Sequence, residues 1–217
     1  MNIAWDIETC PLPESSFSDA QQARFEKNLR RRRNKSGLRE SKEQTRQAVR
    51  ALSPYLGWIC CISLVRQIDG EDRMRESYSY TARTRLDEHD LLVNFWQDLG
   101  RLPDRGVTWI TFNGKNFDVP FLKLRTLHHG LAPTRQDLLD DYPYNDEPHC
   151  DLWHELERAS LDDACDLLGV PTPKDDMDGA GVWPAVQDGR MSDVVEYCEK
   201  DVIATLRCYL KSQAAFA

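Results

Sequence analysis

The sequence predicts an α/β domain in three layers, a mixed sheet with helices packed on its faces. Three observations carry that expectation. Apolar runs of strand length open the chain: NIAWDIET, ICCISLVRQI and MRESYSYTA. One amphipathic helix and one further strand, GVTWITFNG, follow them. The rest is mainly helical in pattern, and no internal repeat interrupts it.

In order, NIAWDIET is the first strand, and it leaves through Pro11 and Pro13. The stretch SFSDAQQARFEKNLRRRRNKSGLRESKEQTRQAVRAL has helix-forming composition broken at NKSG, which predicts two polar helices or a partly mobile helical arm. SPYLGW is a turn and ICCISLVRQI a buried strand; Gly70, Glu71 and Asp72 make a hairpin connection to the third strand. In LDEHDLLVNFWQDLGRL, Leu91, Leu92, Phe95, Trp96 and Leu99 recur at helical spacing. FDVPFLKLRTLHHG is a helix closed by Gly130. SLDDACDLLG is another, with Ser160 and Asp163 in capping-box spacing and Gly169 at its end. VPTPKDDMDGAG reads as a loop before a final helix over about 192–211.

At 217 residues, the length suits one domain over 1–217 with a basic helical insertion at about 20–52. The longest apolar run, GWICCISLV, is too short to span a membrane, and no basic stretch precedes an apolar core as in a secretory signal. Seven cysteines without framework spacing fit a reducing cytoplasm. Net charge is −8, yet residues 24–50 hold eleven Lys and Arg against three Glu. That segment is therefore about +8 on a body of about −16.

Three groups of acids bear on chemistry. Asp6 and Glu8 stand at i and i+2 of a strand, on one face, where their charges repel unless something positive compensates them. Asp118 follows a strand and a turn crowded with Asn113, Asn116 and Phe117. Tyr197 and Asp201, at i and i+4, share one face of the last helix, and Asp193 one turn earlier complements the helix dipole. Each group also has an ordinary explanation, as an exposed strand end, a helix-start acid or a tyrosine at a core edge. His149, Cys150 and His154 lack the second cysteine pair that zinc would need. Asp151, Asp162, Asp163 and Asp166 read as helix-start and surface acids, and Cys60 and Cys61 as strand packing.

Together and in this order, WDIET, NGKNFDVPF and YCEKDV resemble the three motifs of the DnaQ-like (DEDD) 3′–5′ exonucleases, in the subclass bearing tyrosine. The spacing from Asn113 to Phe117 and Asp118 is most similar to the proofreading exonuclease domains of B-family DNA polymerases and their stand-alone relatives. The resemblance implies a ribonuclease H-like fold with about five strands. It implies two divalent ions, Mg²⁺ or Mn²⁺, held by Asp6, Glu8, Asp118 and Asp201, with Asp6 bridging them. Glu8 and Asp201 would support the water-activating ion, Asp118 the second, and Tyr197 would orient the water. Asn113, Asn116 and Phe117 would contact terminal nucleotides, and Thr9 the 3′ end.

The implied activity is hydrolysis at the 3′ end of single-stranded or frayed DNA, releasing nucleoside 5′-monophosphates. An exoribonuclease similar to the ribonuclease D group is the alternative, and an inactive nucleic-acid-binding module the second. The basic insertion is a departure from compact relatives. Its run of Arg30, Arg31, Arg32, Arg33 and Lys35 reads either as a solvated face or as a phosphate-contacting arm.

Overall fold

A computed structural model describes residues 1–36, 41–67, 77–173 and 177–216. Strand β1 (Asn2–Pro11) leads into α1 (Asp19–Ser36) and α2 (Lys42–Ala51), then β2 (Gly57–Gln67) and β3 (Tyr78–Thr81). Next come α3 (Glu88–Leu99), β4 (Thr108–Thr111), α4 (Asp118–His128), β5 (His149–Asp151) and α5 (Leu152–Glu155). The chain ends in α6 (Leu161–Leu168), α7 (Val182–Gln187) and α8 (Met191–Phe216). The hairpin expected at Gly70, Glu71 and Asp72, and residues 74–76 of the third expected strand, lie outside the described residues.

The five strands form one mixed sheet in the order β3-β2-β1-β4-β5. β1 is central, antiparallel to β2 and parallel to β4. Alternation along β1 sorts its side chains between the two layers. Ile3, Trp5 and Ile7 pack with Leu91, Phe95 and Phe121 of α3 and α4, whereas Ala4 lies in a cluster with Val202 and Leu206 of α8. Asp6 and Glu8 share the parity of Ala4 and so face the α8 side. A bulge interrupts the β1–β2 ladder, since Glu8 pairs with Cys61 but Thr9 pairs with Ile59. The extra residue, Cys60, donates its thiol hydrogen to the Glu8 carbonyl at 3.3 Å.

The basic segment consists of two packed helices. Phe25 and Leu29 of α1, Val49 of α2 and Leu56 close a small core of their own. Ser41 and Gln44 make the reciprocal bonds of a capping box at the start of α2. Glu14 pairs with Arg46 and Arg50, and Arg50 also donates to the Leu12 carbonyl at 3.1 Å. Two local expectations change. α7 fills the residues between the expected loop and the last helix, to which no element was assigned, and the last helix begins at Met191 and runs to Phe216. Gly130 follows the α4 cap, His129, and adopts the left-handed conformation (φ 67°) that suits glycine there. Among the described residues, no helix is long and apolar enough to cross a membrane.

Candidate functional site

β1 outruns β4. Their pairing covers only Asn2, Ala4 and the residue between them, so among the described residues the half of β1 that carries Asp6 and Glu8 has no strand on that flank. The Ile7 N–H donates there to Asp118 Oδ1 at 3.0 Å. A carboxylate from α4 thus takes the place of a strand carbonyl and is drawn against the two acids of β1. This is the C-terminal edge of parallel strands, where α/β sheets tend to place their sites.

The turn that delivers Asp118 is built around a fourth acid. Asp151 accepts the N–H groups of Asn113 (2.7 Å) and Lys115 (2.9 Å) and also caps α5 through the Trp153 N–H. It is 2% exposed, which corrects its reading as a surface acid. Burial removes water as the partner for these amides, so the carboxylate must supply the acceptors. Gly114 is required because a Cβ would meet Thr111 at 2.4 Å. His149 is occupied structurally, with Nε2 2.9 Å from Thr111 Oγ1.

On α8, Tyr197 and Asp201 stand one turn apart and hydrogen-bond to each other. The Asp6 and Asp118 side chains also interact directly, which raises Asp6 and lowers Asp118. Burial first, and then the charges of Asp118, Glu8 and Asp201, push Asp6 well above the carboxylate range. Burial and then Asp201 do the same to Glu8. Burial lifts Asp118 to about 7 against the pull of the Ile7 N–H. Tyr197 is raised by burial and then by the charges of Asp201, Glu8 and Asp6, so its phenol keeps its proton at neutral pH.

Such a group of mutually raised acids is suited to receive positive charge. Hard carboxylate oxygens fit Mg²⁺ or Mn²⁺. Donor atoms of Asp6, Glu8 and Cys198 lie within 4.8 Å of one another.

Asp6, Glu8, Asp118, Tyr197 and Asp201 line one cleft of about 520 Å³. Asn113 and Phe117 line it from the α4 turn. Thr9 also lines it, but its hydroxyl donates to the Ala51 carbonyl at 2.9 Å and so ties β1 to the end of α2. Asn116 is exposed beyond the cleft wall, donating to Asn113 Oδ1 at 3.0 Å. Of the arginine run, Arg32 lines the cleft, whereas Arg30, Arg31 and Arg33 are exposed; the side chain of Lys35 lies outside the described residues.

Sequence reasoning missed two features here. One is Gln44 and Gln47 of α2, which line the cleft opposite no recognisable motif. The other is Glu88, which accepts the Ile59 N–H at the bulge (2.8 Å) and binds Arg125 of α4 through both oxygens (2.9 and 2.6 Å). An acid in the first turn of α3 carries no signal of a partner 37 residues away.

The sequence profile of a family described as predicted 3′–5′ exonucleases related to the exonuclease domain of PolB matches residues 52–216. Among solved structures, the family B DNA polymerase from the hyperthermophilic archaeon Pyrobaculum calidifontis is similar, with a TM-score of 0.59 at 17% identity. The likeness covers 94% of this chain and 23% of the polymerase chain, and at that identity it concerns the fold. A comparison with curated protein sequences finds no match. The mixed sheet and its flanking helices are those of a polymerase exonuclease-type fold. With β1, α1 and α2 preceding the matched segment, the chain belongs to the family of predicted 3′–5′ exonucleases related to the exonuclease domain of PolB.

Proposed function

We propose that the protein is a metal-dependent 3′–5′ exonuclease acting on single-stranded or frayed DNA ends and releasing nucleoside 5′-monophosphates. The observation that carries this reading is the convergence of Asp6, Glu8, Asp118 and Asp201 with Tyr197 on one cleft, from three distant segments of chain. Asp6, Glu8, Asp118 and Asp201 would hold two divalent ions, Asp6 contributing to both, Glu8 and Asp201 to one and Asp118 to the other. When bound, such ions supply an activated water and neutralise charge on the phosphoryl and leaving oxygens.

The protein's own groups supply the positioning. Tyr197, protonated at neutral pH, hydrogen-bonds and orients the water and does not act as the base. Phe117, half-buried at the cleft wall, presents a ring on which a base of any identity can stack. Arg32 brings positive charge to a wall otherwise rich in acids, where a phosphate of the strand can meet it.

The test is digestion of one DNA oligonucleotide labelled at its 5′ end and, separately, at its 3′ end, in Mg²⁺ and in EDTA. The expected result is a ladder from the 5′ label, labelled mononucleotide from the 3′ label, and no reaction in EDTA. Cleavage undiminished by EDTA, or release of mononucleotide from the 5′ end, would overturn the reading. A matched RNA strand cleaved faster than DNA would move the substrate to RNA.

A further inference from the structure

The wall of the cleft contributed by α2 belongs to none of the three motifs, yet it is built as firmly as they are. Thr9, next to Glu8 in β1, holds the Ala51 carbonyl at 2.9 Å, and Arg50 holds the Leu12 carbonyl. Thr45 and Val49 are buried on the inner stripe of the helix. Gln44 and Gln47 line the cleft together with Ala48 and Leu52. Leu52 is 53% exposed, a large apolar side chain left open beside an acidic centre.

Two local bonds fix which end of each amide is engaged. The Ser41 N–H donates to Gln44 Oε1 at 2.9 Å, so the remaining capacity of Gln44 is that of its Nε2 donors. Gln47 Nε2 donates to the Ala180 carbonyl at 3.1 Å, across to the residues preceding α7, so Gln47 keeps its Oε1 as an acceptor and one Nε2 hydrogen. One donor and one acceptor therefore stand on the same helix face, one turn apart, beside apolar surface from Leu52 and, on the α4 turn, Phe117. That pairing matches a nucleobase. Every base has an apolar face to pack, and its edge carries both a donor and an acceptor or two groups of one kind.

Resting on the exonuclease reading, we infer that α2 supplies a nucleobase subsite in which Gln44 and Gln47 hold the edge of the terminal base while Leu52 and Phe117 cover its faces. The glutamines position substrate and take no part in bond cleavage. Because apolar surfaces stack on a base of any identity, the subsite secures the end of the strand with little selection of its sequence.

The experiment measures binding and cleavage of two single strands, one ordinary and one with an abasic 3′-terminal nucleotide, by the wild type and by Gln47→Ala and Gln44→Ala. Binding is read by fluorescence anisotropy in EDTA, so that it does not depend on turnover. For the ordinary strand, each substitution is expected to weaken binding and raise KM about 5- to 10-fold, with kcat changed less than about twofold and the melting temperature lowered by no more than the loss of the Ser41 or Ala180 hydrogen bond accounts for. For the abasic strand, the wild type should already have lost that affinity, and the substitutions should cost nothing more.

Equal losses on both strands, or no loss on either, would overturn the subsite. A wild type that binds in this pattern but cleaves nothing would leave the subsite standing and overturn the exonuclease reading instead.

Discussion

Glu88 is sealed in the core and Asp6 stands half-buried at the cleft, and the fold treats the two acids in opposite ways. Glu88 is fully buried, and each oxygen is answered: Oε1 by the Ile59 N–H and Arg125 Nε, Oε2 by Arg125 Nη2 and by His129 Nε2 at 2.9 Å. Its charge is closed within the protein, and the closure has a structural purpose. It fastens α3 and α4 to the bulge in β2, the irregularity that lies directly across from Glu8. Asp6 has carboxylates as its main electrostatic neighbours: Asp118, Glu8 and Asp201. The first arrangement holds a shape; the second holds a deficit of positive charge that a ligand can fill. Burial of an acid is therefore no guide to its role until its partners are known.

Breaking the second arrangement should have the largest effect. Asp6→Ala and Asp201→Ala are each expected to lower cleavage by about 10³-fold or more, because each removes a ligand from a shared site. Tyr197→Phe, which keeps the ring and removes only the orienting hydroxyl, should retain measurable cleavage, about 10- to 100-fold below wild type. Single-turnover rates on a 5′-labelled strand make the comparison, and wild-type rates in all three variants would dismantle the assignment.

Breaking the first arrangement should cost stability. Glu88→Ala leaves the Arg125 guanidinium buried without its counter-charge and is expected to destabilise the fold by about 3–5 kcal/mol. Urea denaturation gives the number, and a change below about 1 kcal/mol would show that Arg125 finds water instead.

Two titrations sharpen the contrast, with opposite signs. Burial, and then the charge of Lys115, pull His149 down to about 4 in the folded state. The unfolded chain takes up that proton nearer its ordinary value of about 6.5. The His149 contribution is therefore fully present above about pH 6.5 and lost as pH falls toward 4, on the order of 3 kcal/mol. Denaturation midpoints at pH 7.5 and 4.5 should show this slope, and His149→Gln should flatten it.

Asp118, raised to about 7, contributes the reverse: stability present below about pH 4 is lost as pH rises through 7. In EDTA at pH 8, Asp118→Asn should therefore melt higher than wild type, by about 1–2 kcal/mol, since the amide can still accept the Ile7 N–H. A lower melting temperature would mean that the acids are compensated within the fold after all.

The contrast also explains how much was legible in the sequence. Asp6 with Glu8, and Tyr197 with Asp201, could be paired because period-2 and period-3.6 geometry act over a few residues, and both pairs line the cleft. Asp118 needed the resemblance, because only its surroundings in NGKNFDVPF marked it out. Glu88, Arg125 and Asp151 could not be read, since a charge in sequence looks solvated until its distant partner is known. The packing of the basic segment was hard to read for a related reason. Phe25, Leu29, Val49 and Leu56 are too sparse among charged residues to announce a core, yet they suffice to pack two helices. α7 is short and contains Pro184, so its pattern fell below any helical window.

The bond from the Ile7 amide to Asp118 has one more use. A strand amide normally reports on its neighbouring strand, but this one reports on a carboxylate of the proposed metal site. Any cation that withdraws electron density from Asp118 weakens that acceptor, so the ¹⁵N–¹H signal of Ile7 should shift during a Mg²⁺ titration even without nucleic acid. The central strand thereby carries a built-in spectroscopic gauge of site occupancy.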